Sequence, residues 1–167
     1  MNERWKILEE KILSTSTHNL PLGLFHGKMG VCIYFFLMGE INDDKEYRRK
    51  ATILFEEITL ELNPTLALDM ETGWTGIGLG IHYLLKAEFI KGNENLILSD
   101  IDDIILKQVT YSDSLSKIPI RTLIHILFYL EIRVKQQPVG SDDEYFFNRT
   151  ISLILDQLHK KNRYSLF

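Results

Sequence analysis

The sequence predicts an all-α protein whose helices alternate between an inner and an outer layer, and three observations carry that prediction. Segments that are apolar nearly all round alternate with segments that are apolar on one face only. Two glycine-marked stretches, Gly27-Lys28-Met29-Gly30-Val31 and Gly73-Trp74-Thr75-Gly76-Ile77, lie 46 residues apart and lead into similar apolar runs. Residues 31–38 suit a strand on propensity, but their repeat partner at 76–85, with its three glycines, is a poor strand, so helices are expected throughout.

Taken in order, residues 3–14 read as a short amphipathic helix with Trp5, Leu8 and Ile12 on one face. The first inner helix is expected at about 28–39 and the second at about 75–88. A further step of 46 reaches Pro119, where the apolar run persists at about 119–134 while Pro119 and Thr122 replace the two glycines. The outer helices are expected at about 43–62, 94–110 and 142–161. Their apolar faces carry Tyr47, Ala51, Leu54, Phe55, Ile58 and Leu62, then Ile97, Ile101, Ile104, Ile105 and Val109, then Phe147, Ile151, Ile154, Leu155 and Leu158. Asn42 with Asp43, and Ser141 with Asp142, suit helix starts because their side-chain oxygens can accept free amide protons. Gly76, Gly78 and Gly80 each cost roughly 1 kcal/mol of helix propensity relative to alanine, so close approach of neighbouring inner helices is their expected reason.

Composition narrows the function. A chain of 167 residues with 45% hydrophobic and 25% charged residues fits one domain, 1–167, of the soluble globular class. The net charge of −4 and the scatter of Lys and Arg give no footprint for nucleic acid. The longest apolar run, 31–38, falls far short of the roughly 20 residues that cross a bilayer, and the start, MNERWKILEEKIL, is too acidic for a signal peptide. A cytoplasmic protein is expected. On that basis the Asn148-Arg149-Thr150 sequon is a chance match. The pair Gly27-Lys28 is no Walker A loop, because three residues rather than four separate Gly23 from Gly27, and Met29 stands where magnesium needs a hydroxyl. Ser114 and Lys117 match an acyl-enzyme S-x-x-K pattern without its companion motifs. The acidic cluster at 99–103 lacks the glycine and terminal glutamate of a calcium loop and reads as a solvated helix face.

The stretches GLFHGKMGVCIYFF and GWTGIGLGIHYLL, separated by an amphipathic helix, resemble the N-terminal repeats of lanthionine synthetase C-like proteins over residues 20–110. From Pro119 onward the glycine signature is gone. The resemblance implies an α/α toroid, here a partial one with three inner helices. Enzymes of that family are zinc-dependent cyclases that add a cysteine thiol to a dehydrated serine or threonine. Their zinc is held by two cysteines and a histidine, whereas this chain has the single Cys32 and five unpaired histidines, His18, His26, His82, His125 and His159. No metal, no cofactor and no catalytic residue are therefore expected.

In toroids the loops leading into the inner helices line one rim, which makes His26, Lys28, Trp74, Thr75 and Arg121 the candidate binding residues. The competing reading is that His26 and Trp74 pack under loops and that Lys28 caps surface carbonyls. Cys32 reads as a small hydrophobe, and His82 and His125 as hydrogen-bonded core residues. Three inner helices cannot complete the ring that the resemblance implies, so the flanks at 24–36 and 123–132 would stay open for a second copy or a partner chain. Three functions follow as expectations: a non-catalytic relative that binds a peptide or forms an assembly in peptide modification, the N-terminal part of a split or truncated cyclase, or a helical-repeat protein without a ligand.

Overall fold

The computed structural model describes Ile12, residues 17–110 and residues 115–164. Apart from Ile12, the expected helix at 3–14 lies outside the described residues, as does Ser114. Six α-helices follow a 3-10 turn at Thr17–Asn19: α1 (Lys28–Ile41), α2 (Lys45–Leu60), α3 (Trp74–Lys86), α4 (Glu94–Thr110), α5 (Ile120–Gln136) and α6 (Asp142–Tyr164). The described residues contain no strand. The caps of α1, α3 and α5 are Gly27, Gly73 and Pro119, so the 46-residue step holds through the third copy, where the glycines are absent.

The pairs α1/α2, α3/α4 and α5/α6 are each packed together, and α1, α3 and α5 stand side by side with α3 in the middle. The α1/α2 pair is antiparallel. Lys28 at the start of α1 reaches Glu61 just beyond α2, while Arg48 near the start of α2 reaches Glu40 near the end of α1 at 3.4 Å. The glycines of α3 face both neighbours: a Cβ on Gly80 would strike the Met29 side chain of α1, and one on Gly78 would strike the Tyr129 ring of α5. The expected close approach of inner helices is therefore present at Gly78 and Gly80, whereas a Cβ on Gly76 would meet loop backbone at Met70 and Leu24. Met29 to Gly80 and Gly78 to Tyr129 have the same sequence separation, so the two junctions share one axial offset, although the contacts themselves lie about one turn apart within the repeat.

Helix ends correct the expected starts. Asn42 caps the C-terminus of α1, and the residue that caps α2 is Asp44, whose Oδ1 accepts the Glu46 amide at 2.8 Å. Ser141 does act at the start of α6, accepting the Glu144 amide at 3.1 Å. Both α1 and α3 close in a six-residue backbone loop in which the residue after the cap is left-handed, Asp43 with φ 49° and Glu88 with φ 59°. At the second loop the amides of Glu88 and Phe89 bond the carbonyls of Leu85 at 3.1 Å and Leu84 at 2.9 Å. Glycine is favoured at such a position because an L side chain there is strained. Glu88→Gly should therefore raise stability by about 0.5–1 kcal/mol, read as a higher denaturant midpoint with unchanged slope.

Two expectations about faces are overturned. Helix α5 is not apolar all round as a buried helix: Ile120, Ile124 and Phe128 form an exposed row along it, and Leu155 of α6 is exposed as well. In the acidic cluster, Asp100 and Asp103 are exposed, but Asp102 is buried. Its spacing explains why, since Leu98, Asp102, Ile105 and Val109 share the buried face of α4.

Candidate functional site

The loops that lead into α1 and α3 are built alike. The Lys28 amide bonds the Pro21 carbonyl at 2.7 Å and the Trp74 amide bonds the Ala67 carbonyl at 2.8 Å, with both partners one repeat apart. Leu22 and Leu68 occupy the next matched step, and both are buried. The two loops then bond each other. Gly23, Leu24 and His26 donate their amides to the carbonyls of Thr72 at 3.1 Å, Met70 at 3.0 Å and Glu71 at 3.3 Å. Asp69 holds the second loop in shape by accepting the Thr72 amide at 2.7 Å and its hydroxyl at 3.0 Å. Helix α5 joins this end through His125, whose Nδ1 accepts the Met70 amide at 3.2 Å, so that a neutral ring carries its proton on Nε2. Glu71 pairs with Arg121 and lies 3.4 Å from His125 Nδ1.

Of the five candidate residues, this end leaves two at the surface. His26 is exposed, and Arg121 is exposed while reaching over to Glu71. Lys28 is fully buried: its ammonium lies 2.5 Å from Glu61 and 3.5 Å from Glu57, tying α1 to the end of α2 rather than facing a ligand. Thr75 is buried too, with its hydroxyl donated to the Leu68 carbonyl. Trp74 is 3% exposed and turns away from the surface of the rim.

Trp74 instead contributes to a groove of about 550 Å³ between α2 and α4. Phe55 and Leu62 form one wall, Ile97, Ile101 and Ile104 the other, with Trp74 and Ile81 of α3 and Ile90 completing an apolar lining. Lys91, Asp100, Asp103 and Lys107 stand at its margin, two cations and two anions, with Lys107 paired to Asp103 at 3.0 Å. The groove exists because the outer helices are unevenly spaced. Helix α4 packs on α6, whereas α2 and α4 lack a comparable contact and leave α3 showing between them. Its volume falls within the range of small-ligand sites, roughly 300–1,000 Å³, and its lining is of the apolar kind such sites use. The indole Nε1–H of Trp74 is buried with no hydrogen-bond partner among the described residues.

At the other end of α3 and α5 lies a buried polar cluster that the sequence did not reveal. Asp102 accepts Tyr129 Oη–H at 2.6 Å and Arg133 through Nε at 3.0 Å and Nη2 at 2.7 Å. The Arg133 Nη2 also reaches Asn95 Oδ1 at 3.1 Å, which Gln137 Nε2 shares at 3.2 Å. Burial pushes the Asp102 carboxyl above its ordinary value, with the bonds from Arg133 and Tyr129 pulling the other way. Burial, then the Asp102 charge, raises the Tyr129 phenol well above its own. Glu94 accepts from His82 Nδ1 at 2.5 Å and lies 3.4 Å from Lys86.

Cys32 is buried, its thiol donated to the Ala51 carbonyl at 3.4 Å and pushed up to about 12 by burial, so it is a packing residue with negligible thiolate near neutrality. No group of three or more His, Cys, Asp or Glu among the described residues could hold a metal ion. No described helix is long and apolar enough to cross a membrane. Compared with family models, with curated proteins and with solved structures, the chain matches none.

Proposed function

We propose that the chain is a non-catalytic binding protein of the lanthionine synthetase C-like kind, a partial α/α toroid that holds an apolar peptide segment in the groove between α2 and α4. It would act in the cytoplasm beside enzymes that modify peptides. The groove over Trp74 is the observation that carries the reading, because it is apolar, of ligand size, and edged by charges of both signs that suit a peptide backbone rather than a strongly charged ligand. The matched loops before α1 and α3, and the row of α1, α3 and α5, support the family resemblance and the toroid-like arrangement. The burial of Lys28 and Thr75 in internal bonds favours the groove over the rim as the binding site.

The test uses Trp5→Phe, which leaves Trp74 as the sole tryptophan of the chain. Anilinonaphthalene sulfonate, an apolar dye of groove size, should bind saturably and accept energy from Trp74. A leucine-rich hexapeptide should displace it, and a serine-rich one should not. Ile97→Glu, at a half-open position on the groove wall, should weaken the energy-transfer signal at least tenfold without unfolding the chain. Binding that Ile97→Glu leaves unchanged, or no saturable transfer from Trp74, would overturn the reading.

A further inference from the structure

The exposed row on α5 is separate from the groove, and its chemistry points to one occupant. We propose that Ile120, Ile124 and Phe128 form a homodimer interface, packing against the same row of a second copy across a twofold axis beside Ile124. The inference is independent of the groove and its ligand.

These three side chains are 47%, 42% and 55% exposed and stand at intervals of four, so they form one continuous ridge of the kind that interdigitates when helices cross. The repeat says what such a face does elsewhere in the chain. Ile124 occupies the step of α5 that Gly78 occupies in α3, counting from their aligned caps. Gly78 is where α3 is covered by Tyr129 of the following helix. On α5 the corresponding face has no further inner helix among the described residues, and Ile124 stands there in place of glycine, between Ile120 and Phe128.

The row is also complementary to itself when reversed. In an antiparallel crossing Ile124 meets the partner's Ile124, and Ile120 meets the partner's Phe128, so each end places a smaller side chain against a larger one. Charge selects the same direction. Lys117 and Arg121 flank the start of the row, and Glu131 lies one turn beyond Phe128, held by Lys135 at 2.6 Å. Antiparallel crossing brings Lys117 and Arg121 of one row, the latter already reaching Glu71, to the Glu131–Lys135 pair of the other, while parallel crossing sets the two basic starts against each other. An interface that uses one patch twice closes at two copies, the commonest form of homo-oligomer. The opposite flank is less suited to this. There Val31 and Tyr34 of α1 are only half-open, and Ile12 and Leu20 line the same depression from the chain's own N-terminal side.

Ile124→Cys tests the geometry in the full chain. The native Cys32 is buried and its thiol is raised to about 12, so it stays silent during mild oxidation. Copper–phenanthroline oxidation of Ile124→Cys should give a covalent dimer as the main product. Ile120→Cys and Phe128→Cys should each crosslink poorly alone and well when mixed. Light scattering of the unmodified chain should show a dimer that dissociates on dilution, and Phe128→Glu should raise the dissociation constant at least tenfold. A monomer at all concentrations overturns the proposal, including the case where a different protein covers the row. Self-crosslinking of Ile120→Cys that exceeds that of Ile124→Cys, or a dimer indifferent to Phe128→Glu, also overturns it. Because groove binding is read separately through Trp74, either conclusion can fail without the other.

Discussion

Asp102→Ala should lower the stability of the folded chain by about 3–5 kcal/mol, the usual effect of leaving a buried charge without its partner. Arg133 is 1% exposed and gives two of its nitrogens to Asp102. Removing the carboxylate strands that guanidinium between α4 and α5, with the neutral Asn95 Oδ1 at 3.1 Å, Glu94 Oε1 at 3.8 Å and the face of the Phe147 ring at 5.8 Å as its remaining compensation. For a chain of this length the midpoint of thermal unfolding should fall by roughly 6–20 °C. The combined replacement Asp102→Leu, Tyr129→Phe and Arg133→Met tests the cause. It removes all three polar groups together, keeps the ring that Gly78 contacts, and leaves Asn95 bonded to Gln137. If desolvated charge is what Asp102→Ala exposes, the triple variant should recover most of the loss, since apolar replacement of buried ion pairs is often neutral or better. A triple variant as unstable as Asp102→Ala would show that shape, not charge, was lost.

This cluster marks where the sequence is hard to read and where it is not. Helix positions were legible because apolar spacing and the 46-residue step are properties of local sequence, and all three caps fall on that step. The glycines of α3 were legible because helix propensity makes three of them costly without a packing partner. The reading of 99–103 as a solvated face fails at Asp102, and the buried Arg133 drew no reading at all. A signal was present for Asp102, which sits among Leu98, Ile105 and Val109 at helical spacing, and for Arg133, which shares a face with Ile126, Tyr129 and Leu130. Lys28 carried no such signal, because its partners Glu57 and Glu61 lie a full helix away. The groove was invisible for a different reason. It depends on the separation of α2 from α4, which no local pattern encodes, so Trp74 was named for a rim and is found under a groove.

Gly73→Ala should cost about 2–4 kcal/mol although it adds a single methyl group. Gly73 caps α3 in extended backbone, φ −128° and ψ −157°, which any residue can adopt, so conformational freedom is not what glycine supplies here. Space is. A Cβ at this position would run into the Ala67 carbonyl, the same carbonyl that accepts the Trp74 amide at 2.8 Å. Backbone on both sides leaves no side chain to swing aside. Overpacking of this kind costs about 1–3 kcal/mol, and the strained hydrogen bond adds about 1 kcal/mol. The matched position Gly27 meets the Pro21 carbonyl in the same way, so Gly27→Ala should lose a similar amount. The two substitutions should also couple, because the loops they distort are bonded to each other through Gly23, Leu24 and His26. Urea unfolding of the single and double variants measures all of this. A loss under about 0.5 kcal/mol for either single variant, or strict additivity in the double, would mean that the two loops do not act as one unit and that the repeat ends at the helices.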